Sequence, residues 1–157
     1  MTRDVRASIR MGEMSVDAQG KPLRTLLGSC VGLALHDRQQ QIGGLAHIVL
    51  PRSRGQVIQP GKFVDTAIPA LIAQMQQLAK RELRLTAKMA GGAKMFATAA
   101  AAGIGQQNVE SCEVLLGQLK IPILATHCGG EQGRRMTFDP VNGIVRIEVV
   151  AREPIEI

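Results

Sequence analysis

The 157-residue sequence contains no tryptophan and no tyrosine, and only three phenylalanines. An aromatic content of 2% excludes a core built on ring stacking and leaves little with which to stack nucleic-acid bases. The core must instead be aliphatic side chains, methionine and alanine. No GxGxxG follows a strand-like run and no phosphate-binding P-loop occurs, so nucleotide use has no support. No window approaches the roughly 18 uninterrupted apolar residues that a membrane span needs. The three cysteines form no CxxC pair, which excludes a disulfide framework and speaks against a structural zinc site. The opening stretch MTRDVRASIRMGEM lacks an apolar signal core, so a reducing cytoplasm is the expected location.

What is present fits a single domain over residues 1–157. Hydrophobic content of 45% with 20% charged residues suits a folded domain of ordinary composition, and no internal repeat or linker-like shift divides the chain. The net charge of +6 is scattered rather than clustered. Solubilising charge is the simplest reading, and an acidic protein partner is favoured by it as much as a polyanion.

Hydrophobic periodicity separates strands from helices. Leu23 to Leu27 reads as a strand after the turn Gln19-Gly20-Lys21-Pro22. Val31 to His36 and Ile42 to Leu50 read as a hairpin about Asp37-Arg38-Gln39-Gln40. Val64, Ile68, Leu71, Ile72, Met75, Leu78 and Ala79 fall at helical spacing, which predicts a helix capped by Asp65 and running to about Arg84, with Pro69 near its first turn. Leu83 to Ala90 is a further strand entering the turn Gly91-Gly92, and Ala97 to Ala102 a short helical piece. A second helix starts at Gln106 or Asn108 and ends at Leu119, with Val109, Cys112, Leu115, Leu116 and Leu119 on one stripe. Ile121 to Thr126 is a strand, and Met136 to Phe138 with Ile144 to Val150 forms a hairpin about Asp139-Pro140-Val141-Asn142-Gly143. Strands at both ends with two helices between them predict an α+β domain of mixed α/β layers.

Within the first hairpin, apolar runs carry Cys30, His36 and His47 where packing alone prefers valine or leucine. If partners sum to 77, Cys30 lies directly opposite His47, and Gly32 and Ala34 on the same face leave a cleft above the sheet. Imidazolium beside a thiol stabilises the thiolate, and the same ring can then protonate a leaving group. Backbone N–H groups at Gly28 and Ser29 could serve as an oxyanion hole, and the Thr25 hydroxyl could orient the imidazole. A buried cysteine acting as a small hydrophobe is the competing reading on spacing alone. Cys112 reads as core, His36 as an exposed turn residue, and His127 with Cys128 as a candidate addition to a metal cluster.

The segments TLLGSCVGLALHD and IGGLAHIVLP, followed in order by KFVDTAIPALI, GGAKMF, IGQQNVE and GGEQGRRMTFDPVNGIV, resemble the CheD family of chemoreceptor glutamine deamidases. The resemblance implies Cys30 as nucleophile, His47 as general base and acid, and Thr25 as the orienting third member. It also implies a β-sandwich-like core flanked by two main helices, similar to deamidating toxins. The activity implied is that of a protein-glutamine glutaminase converting receptor glutamines to glutamates, without metal or organic cofactor. In some members receptor methyl esters are hydrolysed as well, and many bind a CheC-type phosphatase. The alternatives are a cysteine hydrolase with another substrate and a non-catalytic module that binds CheC or a receptor. Thr25 stands one residue closer to the cysteine than in members that read TLGLGSC. Gln107 replaces a common arginine, and Thr126-His127-Cys128 replaces an acidic pair.

Overall fold

A computed structural model describes residues 8–95 and 103–157. The expected helical piece from Ala97 to Ala102 lies outside the described residues.

The described elements, in chain order, are β1 (Met14–Asp17), β2 (Leu23–Leu27), β3 (Val31–Asp37), β4 (Ile42–Ile48), α1 (Val64–Leu78), β5 (Thr86–Gly91), α2 (Ile104–Gln118), β6 (Ile123–Cys128), β7 (Arg134–Phe138), β8 (Val145–Glu148) and β9 (Ile155–Glu156). They build two sheets. One is five-stranded in the order β1-β4-β3-β5-β6, antiparallel except for the parallel β5–β6 pair; the other is four-stranded and antiparallel, β2-β7-β8-β9.

Strand alternation divides the interior into two cores, because successive side chains point to opposite faces. Val31, Leu33 and Leu35 of β3 join Ala46 and Ile48 of β4 and meet Ile68, Leu71 and Met75 of α1 and Cys112 and Leu116 of α2. Cys30, Ala34, Leu45 and Ala90 turn the other way and meet Leu23, Leu27, Met136, Phe138, Val145 and Ile147 of the second sheet. The layer order is therefore helices, sheet, sheet. This is an α+β fold whose two packed sheets carry both helices on one side, as the chain's strand and helix order requires.

Three local expectations are corrected. Asp65 does not cap α1: Phe63 occupies the cap without a side-chain bond, and the Asp65 carboxylate instead accepts from the Ser53 N–H (3.0 Å) and hydroxyl (3.0 Å). The helix ends at Leu78 rather than Arg84, with Pro69 inside it. α2 begins at Ile104, so Asn108 lies within the helix and is fully buried, whereas Leu119 is 44% exposed and leaves the stripe.

His36 is a further correction, because it is buried rather than an exposed turn residue. Its Nε2–H donates to Pro140 O (2.8 Å), and its ring stands edge-on to Phe138 at 5.7 Å between centroids. Phe138 is thus one of the few rings in the protein and fills the space between the sheets. Phe138→Ala should lower unfolding free energy by about 3–5 kcal/mol through lost burial and a residual cavity, measured as a reduced urea midpoint with an unchanged slope.

Candidate active site

The β3–β4 register fixes the relation between the thiol and the imidazole. Val31 pairs with Ile48, Gly32 with His47, and Asp37 with Ile42, so partners sum to 79 and not 77. Cys30 is therefore diagonal to His47 rather than directly opposite. A two-residue shift preserves the face, because the side-chain period is two. Cys30 and His47 both face the second sheet.

The expected open cleft above Gly32 is also corrected. A Cβ built on Gly32 would lie 2.6 Å from Met136 Sδ and 2.9 Å from Leu27 Cδ1, so the second sheet already covers this face. Cys30 is 7% exposed and His47 4%, at the rim of the inter-sheet core. Leu26, Gly28, Met95, Gly133, Arg135 and Val150 line a surface depression that begins two residues before Cys30.

β2 supplies the third group from the other sheet. Thr25 is fully buried, and its Oγ1 lies 2.6 Å from His47 Nδ1 and 2.5 Å from Ile9 O. A carbonyl can only accept, and a hydroxyl has one proton, so Thr25 donates to Ile9 O and accepts from His47 Nδ1–H. The neutral ring then carries its proton on Nδ1 and leaves Nε2 as the base. Ile9 is held in turn by its N–H to Arg24 O (2.9 Å), and His47 by its N–H to Glu13 O (3.0 Å). β2 sets Thr25 beside the ring although Thr25 stands one residue closer to the cysteine than in members that read TLGLGSC.

The loop before β3 is tied down at three successive carbonyls. Gly28 O accepts from Ala93 N–H (2.9 Å), Ser29 O from Asn108 Nδ2 (3.2 Å) and Cys30 O from Gly92 N–H (2.9 Å). Gly91 permits this approach: its φ is +100°, and a Cβ there would fall 2.2 Å from Cys30 O. Asn108 Nδ2 also donates to Val49 O (2.9 Å), just past the end of β4.

Burial shifts both groups toward their neutral forms. Burial pushes the Cys30 thiol above its ordinary 9.0 and pulls His47 below 6.5, the latter offset in part by Ile9 O and Glu13. Desolvation disfavours both charged forms.

The remaining candidates are engaged elsewhere. His127 Nδ1 lies 2.9 Å from Arg134 Nη1, and the same guanidinium donates to His127 O, Gln132 O and Gly129 O, locking the loop between β6 and β7. Cys112 is buried among core side chains and its thiol is pushed up to about 12; Cys128 is pushed up to about 11. Among the described residues no group of three His, Cys, Asp or Glu side chains could hold a metal ion. Sequence reasoning missed Ile9, Asn108 and Arg134. A backbone carbonyl leaves no sequence signal, but Asn108 was findable: it shares one helix face with Cys112 and Leu116 at i, i+4 and i+8.

A buried thiol and a histidine bonded to a threonine hydroxyl share one sheet face at the seam of the two sheets, a set of groups suited to hydrolase chemistry. Comparison with known proteins gives the family. Residues 49–149 match the family model described as CheD chemotactic sensory transduction. The chain is 40% identical over 157 residues to a probable chemoreceptor glutamine deamidase CheD of Geobacillus kaustophilus, covering 95% of each chain. It is 39% identical over 141 residues to one from Methanococcus maripaludis (88% of this chain, 92% of the relative) and 42% over 150 residues to one from Clostridium novyi (90% and 93%). The chain belongs to the CheD family.

Burial of the Cys30 thiol has a measurable signature. A raised thiol pKa means a small thiolate fraction near neutrality that grows as pH rises. Iodoacetamide alkylation of Cys30, followed by peptide mass spectrometry, should climb steadily as pH passes about 9. A rate plateau already reached at pH 6 to 7 would reveal a standing ion pair instead.

Proposed function

We propose that this protein is a chemoreceptor glutamine deamidase: a hydrolase, contained in a single CheD-like domain spanning residues 1–157, that converts selected receptor glutamine side chains to glutamate. The observation that carries the mechanism is the Thr25–His47 bond on the sheet face that also bears Cys30, because it prepares Nε2 as a base where a thiol is present. Family membership and the names of the relatives support the substrate class.

The reaction needs only groups of this chain and water. As Cys30 Sγ attacks the carboxamide carbon, its proton passes to His47 Nε2, and the carbonyl electron pair moves onto oxygen. The Cys30 N–H and neighbouring loop N–H groups stabilise that oxyanion. Collapse of the intermediate breaks the C–N bond, with the imidazolium proton leaving on ammonia. Water then gives a proton to neutral His47 and attacks the thioester, and the proton returns to Sγ as glutamate departs.

The buried thiol sets the approach of the substrate. A glutamine side chain is long enough to reach inward from a helix while its backbone stays at the rim, and the depression beside Gly28, with exposed Leu26 and Val150, offers an apolar seat. A net charge of +6 favours encounter with acidic segments. Among the described residues no helix is long and apolar enough to cross a membrane, in keeping with action on the cytoplasmic part of a receptor. A CheC-type phosphatase is the further partner of this reading.

Incubation with cytoplasmic fragments of chemoreceptors should add about one mass unit at specific glutamines, and Cys30→Ala should abolish the change. No gain at any glutamine, with Cys30→Ala indistinguishable from the parent, sinks the proposal. Thr25→Val should lower kcat by roughly tenfold to a hundredfold by freeing the imidazole, and Thr25→Ser should restore most of it. Equal kcat for valine and serine would remove Thr25 from the mechanism.

A further inference from the structure

Asn108 is an anomaly in its helix. Its neighbours on the buried face are Gly105, Cys112 and Leu116, and it is fully buried, yet it carries a carboxamide. Its Nδ2 group spends its hydrogens on Ser29 O and Val49 O, and its Oδ1 is left without a hydrogen-bond partner. The orphaned buried acceptor opposes folding and is set against the two carbonyls the same amide satisfies. What the amide gains lies at its other end, on the residue that precedes the nucleophile.

The geometry there is specific. The Ser29–Cys30 peptide is trans, so its N–H points opposite to its C=O. Pulling Ser29 O toward α2 therefore turns the Cys30 N–H away from α2. Accepting a hydrogen bond also polarises the peptide and makes that N–H a stronger donor. The two flanking carbonyls, Gly28 O and Cys30 O, are held by backbone N–H groups of Ala93 and Gly92. In this loop the Ser29–Cys30 plane alone is set by a replaceable side chain, Asn108.

We infer that Asn108 is a positioning residue of the reaction: through Ser29 O it aims and polarises the Cys30 N–H as the oxyanion donor, while its second hydrogen fixes the end of β4 that carries His47. The inference rests on the deamidase reading of Cys30. Asn108 itself touches no reacting atom.

The test separates oxyanion stabilisation from thiol reactivity. Alkylation of a thiol by iodoacetamide forms no oxyanion, whereas attack on a carboxamide does. Asn108→Asp keeps the size of the side chain but replaces the donor with an acceptor facing two carbonyls; Asn108→Ser is the second variant, small and able to donate to one carbonyl at most. With a chemoreceptor cytoplasmic fragment as substrate, kcat should fall at least about tenfold in Asp and less in Ser. KM and the rate of Cys30 alkylation at fixed pH should stay within about threefold. Unchanged kcat in a folded variant overturns the inference. So does a loss of alkylation equal to the loss of kcat, or failure of both variants to fold, since Asn108 is then a packing residue only. If the parent protein deamidates no receptor glutamine, the deamidase reading itself fails and this inference falls with it; if the parent is active and Cys30→Ala is dead while both Asn108 variants match the parent, this inference alone fails.

Discussion

The site depends on where one hydroxyl proton goes. Thr25 lies between a ring nitrogen and a main-chain carbonyl, and Ile9 O leaves it no choice but to donate there and accept from His47. That bond crosses from the second sheet to the first, so the tautomer of the histidine is a property of how the two sheets pack. Slippage between them would release the ring. Met136, directly opposite Thr25 on β7, fills the space over Gly32 and resists such movement.

The scarcity of aromatic residues shapes this packing. Where many domains would spend large rings, this one interleaves methionine, leucine and glycine, and β3 and β4 can come so close to the second sheet because Gly32 has no side chain to keep them apart. A thiol and an imidazole then sit at the rim of an apolar core rather than in open water. Their burial is a consequence of the same close approach that brings Thr25 to His47.

Much of the layer plan was legible in sequence, and the failures are instructive. β2 is found at Leu23 to Leu27 as its apolar alternation predicts, and the face shared by Cys30 and His47 follows from period two. The register was missed by two because Asp37 looks like a turn residue. In the structure it is the last paired residue of β3 and fully buried, its carboxylate accepting N–H groups from Gln40 (3.0 Å) and Arg84 (2.9 Å). A donor so distant in the chain gives no local signal that an aspartate can stay inside a strand. His36 was misread for the same reason, since its acceptor is Pro140. The β2–β7 pairing, on which Thr25 depends, joins segments separated by most of the chain and has no local mark at all.

Burial of both groups bears on how the proposed chemistry runs. Where a thiolate stands ready, charge already exists and the catalyst must mainly keep it from reacting with the wrong partner. Here burial disfavours thiolate and imidazolium alike, so in the proposed reaction both charges arise together as the sulfur attacks: one on the imidazole, one on the amide oxygen. Charge created in a water-poor rim is stabilised only by dipoles already in place. In the proposed reaction the fixed carbonyls of Gly28, Ser29 and Cys30 bear on that stabilisation, because each bond that holds a carbonyl also fixes the direction of the next N–H. In the proposed reaction an amide that fills the prepared geometry supplies the oxygen on which the second charge rests.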